Sequence, residues 1–431
     1  MQISSETSGD KNSIIDKIRE EKRLYIISFP SFNELLSSAI LFYNLNLHGF
    51  DVRINITPCI SEDKLLEIDS PIMLIGFTRR TLEKAKKINR NTFLLENMEY
   101  SGRDVKQKIQ EYYSNLSLKT KNYATIALKL LEKIIGVDNI DSKSYITFLE
   151  SLAFSEPTSY EREIIKNIER KGIIEIKMSV KLFGFEYKPL YQALHDTVKP
   201  FIPELTGDIN NCISFIKSIG ISNVNIKSTQ ISEDTLTNLV KTLFTRLRRS
   251  SRRVRKPNEI LGEVYYLTNT KVLADIKERT AILTYILDSK GPEYVALHCT
   301  SNYYLNLMVE VYNKIPQILA KVYKNITEVE YSGFKIVYAH TLKERIPLKL
   351  LYEALLDLGI ISKGKAIILE KSNELYRIPH YILRDVIVDY EEFLTQSKII
   401  KDIVYDIDNY SVSIIGDSNL TKLIKTIKSM K

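Results

Sequence analysis

Between residue 24 and about residue 155, four short apolar runs are separated by segments of helical period, and this alternation limits the possible folds more than anything else in the chain. The runs 24–28, 51–56, 71–76 (PIMLIG) and 92–95 (TFLL) read as buried strands. The segments 33–48, 62–67, 104–117 and 121–136 read as helices. A strand that returns through a helix pairs in parallel with its predecessor, so the pattern predicts a parallel sheet covered by helices. Residues 1–10 are polar and expected to be disordered, and KNSIIDKIREEKR is expected to form a leading helix.

From 141 to about 300 the segments are mostly helical, with short strands expected near 222–226 and 262–266. Leu305, Met308, Tyr312, Ile315, Leu319, Val322 and Ile326 then step by three and four, which predicts one long helix over 303–326, kinked at Pro316. After 330 the strand–helix rhythm restarts. GFKIVYAHT, KAIILEKS and YSVSIIG read as strands, while PLKLLYEALLDLG and NLTKLIKTIKSM read as helices. The predicted fold class is therefore α/β: a parallel-sheet domain with a helical half, a long connecting helix, and a smaller C-terminal α/β domain.

The chain carries 61 Lys+Arg against 53 Asp+Glu, a surplus of eight, and RLRRSSRRVRK (246–256) alone accounts for seven of it. Arg246, Arg248, Arg249, Arg252, Arg253, Arg255 and Lys256 form the candidate nucleic-acid-binding run. The negative pole of a helix end accounts for two or three of these cations. The remainder suits a phosphate backbone or an acidic protein surface equally well. No aromatic residue interleaves with the arginines, which argues against base stacking there.

Other chemistries find little support. Cys59, Cys212 and Cys299 are far apart and no CxxC spacing occurs, which excludes a zinc knuckle and disfavours a disulfide framework. His48, His195, His298, His340 and His380 share no ligand spacing. There is no Walker A, G-x-S-x-G or GxGxxG motif. No apolar signal core opens the chain and no apolar run is long enough to span a bilayer. A soluble protein of a reducing, cytoplasmic setting is expected.

The loop after the first strand lies where open parallel sheets bind ligands. It offers Phe29, Pro30, Ser31, Phe32, Asn33 and Glu34, almost nothing that does chemistry. The order of elements here resembles the DHH phosphoesterase superfamily, and within it the RecJ-like proteins and their replication relative, the Cdc-forty-five protein. YIISFPSFNELLSSAILFYNLNLHGFDVRI resembles that family's first strand, its His-x-Asp-x-Asp-Gly loop and the following helix. SPIMLIGFT, NTFLLENMEYSG and KNYATIALKLLEKIIG resemble the next elements. LFGFEYKPLYQALHDTVKPFIPELTGD with FIKSIGI resembles a stretch typical of archaeal RecJ-like proteins, continued by LGEVYYLTN and RTAILTYIL. The resemblance covers nearly the whole chain. It implies a DHH-like domain over 1–300 (sheet 24–155, helical half 156–300), a connecting helix over 301–328 and a DHHA1-like domain over 329–431.

Family members cleave phosphodiesters with two metal ions, usually manganese, held by carboxylates and imidazoles at strand ends. Aligned to that pattern, the ligand places fall on Phe29, Ser31, Asn33, Gly76, Glu96, Asn97 and Met98, with the fourth-motif aspartate near Ser155 or Glu156. Only Glu96 of the seven is a carboxylate, and one carboxylate cannot hold two hard cations. The family's Gly-Gly-His phosphate element matches SIIGDSNL, which keeps Gly416 and follows it with Asp417, a carboxylate that would repel an arriving phosphate. The resemblance thus implies a catalytically inactive relative with no cofactor and no tightly bound metal. Its implied setting is the replicative helicase assembly, with the GINS complex and the MCM motor as partners and single-stranded DNA nearby. Two alternatives remain open: a nuclease with displaced ligands such as Glu34, Glu96 and Glu156, or a stand-alone single-strand DNA-binding protein.

Overall fold

The computed structural model describes residues 10–89, 91–95, 122–270, 272–331, 334–340, 344–387, 389–396 and 403–429. The chain divides into two compact units, Met1–Ile168 with Pro292–Tyr304, and Glu169–Gly291 with Leu305–Lys431.

The first unit is built on a parallel sheet of β1 (Arg23–Ser28), β2 (Asp51–Ile56), β3 (Ile72–Ile75) and β4 (Thr92–Leu95) in the order β2-β1-β3-β4. Ile26 of β1 faces Ile54 of β2 and Met73 of β3, and Leu74 faces Leu94 of β4. Every residue of β3 is buried, as expected for a central strand covered on both faces. The helix Phe32–Leu47 is buried along most of its length. It packs against the helices Tyr123–Ile135, Ser142–Leu152 and Pro292–Ala296. Its Ser37 and Ser38 hydroxyls donate to the carbonyls of Asn33 and Glu34 at 2.7 and 2.9 Å, so neither is left unpaired in an apolar setting. The buried Asn44 bonds Ser144 and accepts from the Asp141 amide at 2.9 Å, joining this helix to the start of the next. Glu150 and His298 form a buried pair at 2.9 Å that ties 292–304 to this unit.

The expected strands and the helices near 33–48, 62–67 and 121–136 are present within a residue or two. The expected helix 104–117 and all but the last of residues 1–10 lie outside the described residues. A helix at Arg79–Ile88 had no apolar stripe to announce it, since only Ala85 is buried. It is set instead by Thr78, whose hydroxyl accepts from the Thr81 amide.

In the second unit, β5 (Ile174–Val180) and β6 (Leu261–Leu267) form an antiparallel ribbon that closes on the pair Val180–Leu261. Residues 181–260, between these strands, are a helical insertion with its own core, including Leu194, Phe215, Ile216, Leu239, Leu243 and Leu247. Residues 222–226 are a loop and not the expected strand. There the carbonyl of Ile226 accepts from the Leu190 amide at 2.9 Å.

The second sheet comprises β7 (Ile326–Tyr331), β8 (Phe334–His340), β9 (Ala366–Ser372), β10 (Leu375–Pro379), β11 (Val404–Ile407) and β12 (Ser411–Ile415), in the order β11-β12-β10-β9-β8-β7. Only β8 and β9 pair in parallel, across the helix Leu348–Asp357. The single helix expected over 303–326 is two helices, Asn302–Tyr312 and Ile315–Lys324, separated by Asn313 and Lys314. Pro316 falls in the first turn of the second, where a missing amide costs no hydrogen bond, so it starts a helix and does not kink one. Leu305 is exposed and Ile326 opens β7, so the periodic stripe runs through three elements.

Candidate functional site

β1 lies inside the parallel sheet with connections leaving on either side of it, and its carboxyl end is the crevice such sheets use for ligands. The backbone there is formed as expected. The Phe29 amide donates to the Ile75 carbonyl at 2.9 Å, extending the ladder one residue beyond β1. Its side chain is 1% exposed and packs edge-on against Phe77, ring centres 6.2 Å apart. Ser31 takes the N-cap position of the helix Phe32–Leu47 but makes no side-chain cap bond. Asn33 is exposed in the first turn and Glu34 is buried. Gly76 ends β3 with φ +83°, a conformation suited to glycine, and contributes no side chain. Ser155 and Glu156 are exposed beyond the helix Ser142–Leu152. Glu96, Asn97 and Met98 lie outside the described residues. Phe29, Ser31, Asn33 and Gly76 supply an aromatic ring, a hydroxyl, an amide and no side chain, none of them an anionic ligand, which leaves Glu34 and Glu156 as the described carboxylates near these places and does not fit a binuclear metal centre. Among the described residues no group of three or more His, Cys, Asp and Glu side chains could hold a metal ion.

The counterpart in the second unit is the start of the helix Asp417–Ser429. The Gly416 amide donates to the Glu374 carbonyl at 2.8 Å, and Asp417 accepts a hydrogen bond from the buried Tyr376 hydroxyl. The positive helix end therefore already carries a carboxylate of its own chain, fixed by a tyrosine. Lys371 lies 5.2 Å from the Tyr376 ring centre and 5.4 Å from that of Tyr338.

Residues 103–388 match the model of the family described as archaeal Cdc45, well over half of the chain. The chain belongs to the archaeal Cdc45 family. A crystal structure of Cdc45 from Entamoeba histolytica shares its fold, with a TM-score of 0.59 and 11% identity over 97% of both chains. Weaker likenesses are to the exonuclease RecJ bound to manganese (TM-score 0.43, 10% identity, 97% of this chain and 91% of that one) and to RecJ from Thermus thermophilus (TM-score 0.43, 10% identity, 97% and 53%). No curated protein sequence matches.

In this Cdc45-family chain the basic run splits into two populations. Arg246 is half-buried, paired with Glu204 and 5.7 Å from the Phe215 ring. Arg253 forks onto Glu259 at 3.1 and 2.9 Å and donates to the Asp357 carbonyl at 2.5 Å. Arg255 is buried and bonds Glu259 at 2.5 Å. Burial raises the pKa of Glu259, but the Lys256 amide and the two arginines outweigh it and hold the carboxyl below its usual range. Arg248, Arg249, Arg252 and Lys256 are exposed. The structure thus separates three cations that serve the fold from four that face solvent.

The sequence did not reveal a buried polar cluster in the second unit. Lys188 donates to Asp196 at 2.7 Å and also contacts Glu278 and Tyr312. The Tyr312 hydroxyl lies 2.9 Å from the Asp196 carboxylate and 2.8 Å from that of Glu278, between which its one proton is shared, Tyr187 donates to Glu278, and His195 Nδ1 meets Asp196 at 2.7 Å. Burial alone would lower the pKa of Lys188, but Glu278 and Asp196 overcome it and raise it. Gly184, at φ +65°, makes room: a Cβ there would lie 2.8 Å from the Lys188 chain and 2.9 Å from Glu278. Lys188, His195 and Asp196 all stand in LFGFEYKPLYQALHDTVKPFIPELTGD, so the signal was charge embedded in an apolar stretch. The other histidines also have partners in the fold: His48 the Asn44 carbonyl, His340 Thr327, and His380 both Tyr390 and the Asp408 carbonyl.

Proposed function

We propose that this archaeal Cdc45-family protein is a non-catalytic member of the replicative helicase assembly, which docks the GINS complex and the MCM motor and braces them beside single-stranded DNA. In this reading residues 1–300 are a degenerate DHH-like domain and 329–431 a DHHA1-like domain. The observation that supports the reading is Phe29: the residue that the resemblance aligns with a metal ligand is a buried aromatic ring packed on Phe77. A side chain that completes a core cannot also reach a hard cation. Asp417 at the second helix end supports the same reading, because a resident carboxylate opposes an incoming phosphate.

The direct test is incubation of pure protein with labelled single-stranded DNA and manganese, alongside the Glu96→Ala variant. No cleavage by either protein is expected. Manganese-dependent cleavage by the parent that disappears in Glu96→Ala would replace this reading with that of a nuclease whose ligands are displaced. Elemental analysis gives an independent check. Less than a tenth of a manganese ion per chain is expected, and a value near two would overturn the alignment itself.

A further inference from the structure

The helical insertion 181–260 holds thirteen basic and seven acidic residues, a surplus of six in a chain whose whole surplus is eight. Its last helix, Glu233–Ser250, buries Leu239, Leu243 and Leu247 against the insertion's core. The opposite face carries Thr237, Asn238, Lys241, Thr245, Arg248 and Arg249. Arg252 and Lys256 extend the same charge along the segment that follows. That segment is held in place by backbone and side-chain bonds. The Arg252 amide donates to the Leu358 carbonyl at 2.8 Å, Ser251 donates to the same carbonyl at 3.3 Å, and Arg253 is clamped between Glu259 and Asp357.

Among the described residues Lys241, Arg248, Arg249, Arg252 and Lys256 form no ion pair; the nearby acids Glu204 and Glu259 are taken by Arg246, Arg253 and Arg255. The negative pole of the helix offsets about half a charge. Five unpaired like charges within sixteen residues of chain repel one another and cost stability, a cost that a polyanionic partner would reverse. Lys241 to Arg249 spans roughly 12 Å at 1.5 Å per residue, on the order of three to four phosphates along one strand of a duplex.

The kind of polyanion follows from what the ridge lacks. Single-strand binders stack bases on exposed aromatic rings. Phe244 is the only aromatic residue between 233 and 259, and it packs against the insertion's core. Protein interfaces centre on a buried apolar patch. Among the described residues of this stretch Val254 is the sole exposed large apolar side chain, and it stands alone. We propose that the outward ridge formed by Lys241, Arg248, Arg249, Arg252 and Lys256 is a sequence-independent binding surface for the phosphate backbone of a nucleic-acid duplex. The surface belongs to the insertion, and the proposal does not depend on the docking of GINS.

Fluorescence anisotropy with a 30-base-pair DNA duplex and a 30-nucleotide mixed single strand, titrated from 50 to 200 mM KCl, tests it. The parent protein is expected to bind the duplex more tightly than the single strand. Replacing Arg248, Arg249, Arg252 and Lys256 together by Gln should weaken duplex binding at least tenfold at 100 mM KCl. It should also make the log–log salt slope shallower by about 2 to 3.6, at about 0.9 per contact. A second variant with Lys at the three arginines should keep most of the slope, and circular dichroism should show both variants folded. Absence of duplex binding by the parent would overturn the proposal, as would an unchanged slope in the Gln variant or tighter binding to the single strand. Binding of polyglutamate without binding of duplex would also overturn it, in favour of an acidic protein partner.

Discussion

At the scale of single residues, the positions aligned with metal ligands differ in what they do for the fold, and that difference can be measured. Phe29 is enclosed and Asn33 is exposed. Phe29→Ala should cost about 3–5 kcal/mol, the usual range for emptying a large aromatic site. Asn33→Ala should stay within about 0.5 kcal/mol. Urea denaturation of the two variants measures both; equal and small losses would mean that Phe29 is not the core residue described. Asp288 provides a pH test. It is buried and accepts from Tyr381 at 2.9 Å, Tyr410 at 2.6 Å and the Lys349 amide at 2.8 Å. Burial nevertheless pushes its pKa up to about 6, well above the ordinary aspartate value. A carboxyl with a raised folded pKa contributes stability below its unfolded value and loses it as the pH rises through its folded value. The stability of the second unit should therefore fall between about pH 4 and 6 through this group, by a few kcal/mol at most. Asp288→Asn should remove that part of the slope, and an identical slope in the variant would show that Asp288 is not its source.

At the scale of elements, legibility followed burial. Strands covered on both faces, such as β1, β3 and β9, are short apolar runs and could be read directly. β5 (IEIKMSV), β7 (ITEVEY) and β11 (VYDI) lie in a two-stranded ribbon or at sheet edges, expose much of their length and mix polar with apolar residues. β5 does alternate apolar Ile174, Ile176, Met178 and Val180 with polar residues, the one strand signal that went unread, whereas β7 and β11 carry too few apolar residues to stand out from loop. The stripe over 303–326 misled for a related reason, since spacing shows which residues face a core but not whether the backbone between them is continuous. The basic run was visible at once, yet only the fold could divide it. Ser251, the Arg252 amide and Arg253 donate to the carbonyls of Asp357 and Leu358, so this segment caps the helix Leu348–Asp357 from outside it. Arg253→Ala should then lower stability by about 1–2 kcal/mol, while Arg248→Ala should leave it unchanged. Thermal melting distinguishes the two, and matching melting temperatures would contradict the assignment of Arg253 to the fold.

At the scale of the whole molecule, the family and the α/β class were legible because the order of elements can be read along nearly the whole chain. At the candidate site the sequence named the residues but not their partners. Phe77 and Tyr376, the partners of Phe29 and Asp417, lie far from them in the chain or on another element, and so became visible only in the fold. If the scaffold is retained for assembly, its partner should bind the folded surface and ignore the altered positions. A lasting contact of that kind buries on the order of 2,000 Å² or more and tolerates single substitutions away from it. The most direct measurement is the mass, by light scattering after gel filtration, of the species formed when purified protein and purified GINS are mixed at micromolar concentration in moderate salt. A single peak with the summed mass is expected, unchanged by Asn33→Ala or Glu96→Ala. Two separate peaks with the masses of the free proteins would contradict the account.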